Sequence, residues 1–146
     1  MSVATVNVVM PRLMEEEGFR AKAYVDTNGH QTIGYGFNID AGISRLAAER
    51  LARAQAEELD ASLTAFPWYA ALDYVRQSAV LDMAFNLGMG GLLRFPNMIA
   101  ALTRKDWAAA AKECHVKDPK LAKRYERLAY ILEHGTTIGP DRMPIT

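Results

Sequence analysis

The sequence predicts an α+β fold that is mainly helical, with a small β-hairpin lobe, a larger helical lobe and a cleft between them. Three observations lead there. Between Ala23 and Phe37 the residues turn β-branched and aromatic around Asn28-Gly29, a strong short-range hairpin signal, and this is the only convincing β region. From Ser44 onward the chain reads as a succession of helices. At 146 residues, half of them hydrophobic, the chain falls in the single-domain range and has enough apolar side chains for a substantial core without metals or disulfides.

Taken in order, Pro11 suits the first turn of a helix whose apolar face is Met10, Leu13 and Met14, and Gly18 stops that helix with Glu17 on its last turn. After the hairpin, Ser44 is placed to cap a long helix from Arg45 to about Leu63, with Leu46, Leu51, Leu59 and Leu63 set among alanines. Phe66-Pro67-Trp68 breaks it. A second helix from Asp73 to Leu87 carries Val75, Ala79, Val80, Met83, Ala84 and Leu87, apolar enough to form the buried centre of the helical lobe, and Gly88-Met89-Gly90-Gly91 ends it. Three shorter helices follow, opened by Phe95-Pro96, by Asp106 before Trp107 to about Cys114, and by Asp118-Pro119 before a run to Leu132 that Gly135 closes. The tail from Thr136 to Thr146, with Gly139, Pro140 and Pro144, reads as poorly ordered. The organisation expected is one domain over 1–146: a small lobe at about 18–43, a connecting helix at about 44–64, and a helical lobe at about 65–135 with the N-terminal helix packed on it.

Composition excludes several function classes. A single cysteine, Cys114, forms no internal disulfide and reads as a small buried side chain rather than a nucleophile. His30, His115 and His134 stand apart, so no metal is assigned, and no cofactor motif is present. No apolar run is long enough for a membrane span and no export signal is seen, which implies a soluble chain made in a cytoplasm. Net charge is zero, but residues 1–75 carry 6 Lys/Arg against 10 Asp/Glu and residues 76–146 carry 11 against 7. A basic second half suits a polyanionic partner or simply solvated helix faces; its cations are spread out and not interleaved with aromatics, which argues against nucleic acid.

Chemistry concentrates in residues 15–36, EEEGFRAKAYVDTNGHQTIGYG. Hydrolysis of a glycosidic bond takes one acid to protonate the leaving oxygen and a second polar group to manage water or the cationic centre on the other face. Glu17 and Asp26 are candidates. A glutamate at a helix end against an apolar neighbour such as Phe19 has its pKa raised by desolvation, whereas an aspartate beside a polar turn stays ionised. Hairpin parity sharpens the reading. If Thr27-Asn28-Gly29 form a three-residue loop with Gly29 left-handed, Asp26 pairs with His30 and Tyr24 with Thr32, so Asp26 and Thr32 lie diagonally on one face. A two-residue Asn28-Gly29 turn sends them to opposite faces. Taken alone, the three side chains read as solvated carboxylates and an ordinary strand threonine.

The string Glu17-Gly18-Phe19-Arg20-x-Lys22-x-Tyr24-x-Asp26-x-x-Gly29-x-x-Thr32-Ile33-Gly34-Tyr35-Gly36 closely resembles the active-site segment of phage lysozymes of the T-even type, glycoside hydrolase family 24. Further on, Ala84-Phe85-Asn86-Leu87-Gly88, Phe95-Pro96-Asn97, Trp107 with Ala109-Ala110, Lys123-Arg124 and Gly135-Thr136 resemble later segments of that family, so the likeness covers roughly residues 8–136. The resemblance implies a lysozyme-like fold and a catalytic triad of Glu17, Asp26 and Thr32. It further implies an inverting muramidase, or endolysin, that cuts the β-1,4 bond between N-acetylmuramic acid and N-acetylglucosamine in peptidoglycan for bacterial lysis. Glu17 would be the general acid, Asp26 would orient or activate the attacking water, and Thr32 would hold that water. No cofactor is implied. The partner would be bacterial peptidoglycan, with the protein a monomer held in the host cytoplasm, without stable membrane insertion, and released to the wall by a holin.

Asn86 and Asn97 are candidates for binding sugar acetamides, or alternatively cap and turn residues; Arg124 is a candidate orienting partner for the acid, or alternatively part of an exposed basic helix face. Two departures from the family stand out: Phe37, where the family often has His, is expected in the core, and the stretch between hairpin and long helix is short, trimming the small lobe. Other readings are a lytic transglycosylase, in which one acid acts without water, and a peptidoglycan-binding module without turnover.

Overall fold

The computed structural model describes residues 3–136, so most of the tail expected to be poorly ordered lies outside the described residues. The elements are α1 (Val3–Glu17), β1 (Arg20–Val25), β2 (Gln31–Gly34), β3 (Phe37–Asn38), α2 (Arg45–Thr64), α3 (Pro67–Ala70), α4 (Tyr74–Leu92), α5 (Pro96–Thr103), α6 (Trp107–Glu113), a 3₁₀ turn at Pro119–Leu121, and α7 (Ala122–His134). This is the mainly helical α+β class. The chain divides into two compact units, Met1–Arg50 and Leu51–Thr146, with the boundary inside α2.

In the first unit α1 begins well before Pro11, which lies inside the helix rather than in its first turn. A proline there supplies no N–H to the carbonyl one turn back and carries an interior penalty of about 3 kcal/mol. The expectation placed the helix start by that penalty alone. Gly18 stops α1, its N–H donating to the Met14 carbonyl at 3.0 Å. The sheet is antiparallel in the order β1-β2-β3. Tyr24 pairs with Thr32 and Val25 with Gln31, while Thr32 pairs on its other side with Asn38 and Ile33 with Phe37. Phe37, expected in the core, is 41% exposed, because β3 is only two residues long and forms the sheet's edge.

Ser44 caps α2, its hydroxyl accepting from the Ala47 N–H at 3.1 Å. In the second unit the core is apolar and continuous: Leu63 of α2, Tyr69 of α3, Val80 and Met83 of α4, Met98 and Leu102 of α5, and Tyr125, Leu128 and Leu132 of α7 are all buried. The α7 contributors fall three and four residues apart, which puts them on one stripe facing α4 and α6. The aspartates picked out as helix starts work as caps: Asp73 accepts from the Arg76 N–H at 3.0 Å, Asp106 from the Ala109 N–H at 3.1 Å, and Asp118 from the Lys120 N–H at 2.9 Å. Each such cap is worth about 1 kcal/mol. The helix expected to end at Leu87 leaves helical geometry at Gly88 (φ 75°, ψ 167°) and resumes for one short turn to Leu92. Cys114 is buried beside Met83, with its Sγ 3.8 Å from the Met83 Sδ, and burial pushes its thiol up to about 12, too high for a nucleophile. Among the described residues no helix is long and apolar enough to cross a membrane.

Arg76 ties the start of α4 to the end of α7. Its Nε donates to the Leu132 carbonyl at 2.7 Å and its Nη2 to the Glu133 carbonyl at 3.0 Å, while Nη1 meets the Asp73 carboxylate at 3.0 Å. The guanidinium also lies over the Trp107 ring, 3.9 Å from its centre. A cation is thereby placed at the negative end of the α7 dipole.

Candidate active site

The hairpin between β1 and β2 sets the geometry. Asp26 N–H donates to the His30 carbonyl at 2.9 Å and Gly29 N–H to the Asp26 carbonyl at 3.1 Å, so the loop is the three residues Thr27-Asn28-Gly29. Gly29 has φ 83°, the left-handed conformation that this loop requires. With Tyr24 opposite Thr32, the parity of the pairing puts Tyr24, Asp26, His30 and Thr32 on one face. This is the register that brings Asp26 and Thr32 to the same side. The two-residue turn is not formed.

Asp26 is held by the loop it terminates. Its Oδ1 accepts the His30 N–H at 2.8 Å and the Asn28 N–H at 2.9 Å. The His30 N–H chiefly keeps this carboxyl below the ordinary carboxylate value; burial opposes it, and the Asn28 N–H, the His30 charge and the Gly29 N–H add to it. The side chain therefore stays ionised around neutral pH. Thr32 is the only buried polar side chain among the described residues, at 4% exposure, and its hydroxyl donates to the His30 carbonyl at 3.1 Å. Both hydroxyl lone pairs remain able to accept. The main chain of His30 thus holds Asp26 through its N–H and Thr32 through its carbonyl, a role with no signature in residue type.

Glu17, exposed at the last position of α1, comes to the sheet by a different route. The turn between β2 and β3 places Gly36 directly beneath its carboxyl group, with the Gly36 α carbon bare (φ 71°) toward Glu17. Phe19, the apolar neighbour expected for Glu17, meets Tyr35, with ring centres 5.5 Å apart, and is 64% exposed. Asp40 also went unnoticed in sequence. Its Oδ2 accepts the Gln31 N–H at 3.0 Å and stands 3.9 Å from the His30 Nδ1, bracing the start of β2.

Asn86 and Asn97, the candidates for sugar binding, and Arg124, the candidate orienting partner for the acid, lie on three helices of the second unit. Asn86 is half-buried on α4, where its Oδ1 accepts from the Tyr125 hydroxyl at 3.0 Å. Asn97, in the first turn of α5, is exposed and lines a small pocket of about 160 Å³ with Arg94, Glu113 and His115. Arg124 lines a larger pocket, about 610 Å³, with Asp60, Asp82 and Phe85. Its guanidinium grips Asp82, with Nε 2.7 Å and Nη2 2.6 Å from the same Oδ1.

Comparison with known proteins places this geometry in context. Residues 14–126 match the model of the family described as phage lysozyme, a span that includes Glu17, Asp26, Thr32, Asn86, Asn97 and Arg124. The chain is 24% identical to a protein of Dictyostelium discoideum named probable T4-type lysozyme 1, over 90% of this chain and 96% of that one. It is 28% identical to the pre-baseplate central spike protein Gp5 of Enterobacteria phage T4, over 68% of this chain but only 23% of that much longer protein. The family match takes in most of the sequence, both halves of the fold and every candidate residue, and the chain belongs to the phage lysozyme family.

Proposed function

We propose that the protein is a peptidoglycan-cleaving lysozyme, an inverting muramidase acting on the β-1,4 bond between N-acetylmuramic acid and N-acetylglucosamine. Family membership supports the coarser statement, a lysozyme-type glycosidase directed at peptidoglycan. The observation that carries the finer one is the hairpin register: it sets a carboxylate held ionised and a threonine hydroxyl with free acceptor capacity on the same face of one sheet.

In this reading Glu17 protonates the departing glycosidic oxygen, and the C–O bond breaks toward an oxocarbenium-like centre. Water adds from the opposite face of the sugar. Asp26 accepts a hydrogen bond from that water, takes up its proton as the new C–O bond forms, and stabilises the developing positive charge. Thr32 holds the same water from the side, accepting through the lone pairs its own donation to His30 leaves open. Asn86 and Asn97 bind acetamide groups of the sugars. Arg124, engaged with Asp82, acts on substrate from within the pocket those two residues share. The protein works as a monomer, is made in the host cytoplasm, and reaches the wall after a holin opens the membrane.

Mass spectrometry of peptidoglycan digested by the pure protein tests this reading. Muropeptides with reducing N-acetylmuramic acid ends are expected. Ends in the 1,6-anhydro form would make the protein a lytic transglycosylase, with Asp26 and Thr32 structural, and intact glycan strands would make it a binding module.

A further inference from the structure

We propose that Gly36 is the positioning residue for the Glu17 carboxyl group. The inference rests on the reading of Glu17 as the acid, and adds to it what sets the acid's place. The end of α1 and the turn between β2 and β3 are far apart in sequence, and they meet here through a side chain on one side and a bare α carbon on the other. A methyl group added at Gly36 would overlap the Glu17 Oε2 and stand 2.9 Å from the carboxyl carbon and 3.4 Å from Cγ. Three consecutive atoms of one side chain thus occupy the space a Cβ would take. No other described glycine makes such an approach to a carboxylate.

The consequence is mechanical. A glutamate at an exposed helix end has three rotatable bonds and ordinarily samples several rotamers. The Gly36 backbone leaves open the space that the carboxyl group takes up here, and only a residue without a Cβ leaves it open. Any side chain at position 36 overlaps the carboxyl group and displaces it by on the order of 1 Å to restore an ordinary contact. A displacement of about 1 Å at a reacting group costs on the order of 100-fold in rate.

The same turn contains its own control. Gly34 has φ 66° against φ 71° at Gly36, so alanine meets nearly the same backbone strain at either position, yet a Cβ at Gly34 meets nothing within 4 Å. The test therefore compares Gly34→Ala with Gly36→Ala. On a soluble peptidoglycan oligosaccharide, Gly36→Ala should lower kcat about 100-fold with KM within a few-fold of wild type, and Gly34→Ala should keep kcat within a few-fold. Equal kcat for the two variants overturns the proposal, as does a Gly36→Ala loss confined to KM.

A second arm needs no activity at all. In the wild-type background Gly36→Ala should lower Tm more than Gly34→Ala, and in a Glu17→Ala background the two should lower it equally, because the carboxyl atoms that the added methyl group would meet are gone. Equal Tm losses in both backgrounds overturn the proposal. Full activity of Glu17→Gln would instead remove Glu17 as the acid while leaving the Tm comparison standing, so the two failures are told apart.

Discussion

The main-chain N–H of His30 donates to the Asp26 carboxylate at 2.8 Å while the His30 carbonyl, 2.9 Å from the Asp26 N–H, also accepts the Thr32 hydroxyl at 3.1 Å. One peptide segment therefore fixes both the carboxylate and the hydroxyl proposed to handle the attacking water. Asp26→Asn and Asp26→Ala separate the two jobs this carboxylate does. Asparagine keeps an oxygen for the His30 and Asn28 N–H groups, so its Tm should fall less than that of alanine, which leaves both donors without their partner. Both variants should lose at least about 100-fold in kcat, since neither can take a proton from water. An asparagine variant with near wild-type kcat would show that charge at position 26 is not needed.

The same hydrogen bonds set a pH signature. The Asp26 carboxyl lies below its ordinary value in the folded chain, so its contribution to stability is complete above the unfolded-state value and is lost as pH falls through the folded one. The stability difference between wild type and Asp26→Asn should be flat from about pH 7 down to about pH 5 and shrink below that. Denaturant melts at stepped pH read this directly. A difference that grows on acidification would reverse the assigned shift.

Much of this was legible in sequence, for reasons that differ by residue. Ser44, Asp73, Asp106 and Asp118 act on N–H groups two or three residues away, so a local pattern is enough to find them. Asn28-Gly29 marked the hairpin, and parity then limited Asp26 and Thr32 to two arrangements. What escaped notice depends on contacts distant in sequence. Arg124 and Asp82 are 42 positions apart, and nothing local couples them. Gly36 carries no local sign of its contact, because its partner is a side chain on another element. Phe37 was placed in the core by its type, whereas its exposure follows from the shortness of β3. Pro11 marked a helix start by a true local rule that the helix from Val3 overrides.

Arg76 should dominate the stability of the second unit. Its side chain is only 12% exposed, and alanine there leaves the Leu132 and Glu133 carbonyls without their donors and uncovers the Trp107 face. A loss of about 2–4 kcal/mol is expected for Arg76→Ala in urea melts. Lysine should recover only part of it, because an ammonium cannot reproduce the planar fork. Activity per folded molecule should not change.

Tyr125→Phe tests the role given to Asn86. The hydroxyl removed is the one that donates to the Asn86 Oδ1, and its loss should cost about 1 kcal/mol of stability. If Asn86 binds a sugar acetamide, releasing it should raise KM a few-fold and leave kcat alone. An unchanged KM would assign Asn86 to structure.

Inversion makes a further prediction. Product caught immediately after cleavage should be the α anomer by proton NMR, since water enters opposite the departing β-linked oxygen. An initial β anomer would require a covalent intermediate and a different role for Asp26.

The most direct measurement compares wild type with Glu17→Gln at equal folded concentration, counting new reducing N-acetylmuramic acid ends released from peptidoglycan. The substitution keeps the size of the side chain and removes its proton-donating capacity, so Tm should be unchanged or slightly raised, as at sites where function rather than stability sets the residue. Reducing ends from wild type and none above background from Glu17→Gln is the predicted result. Substantial release by Glu17→Gln would contradict the account.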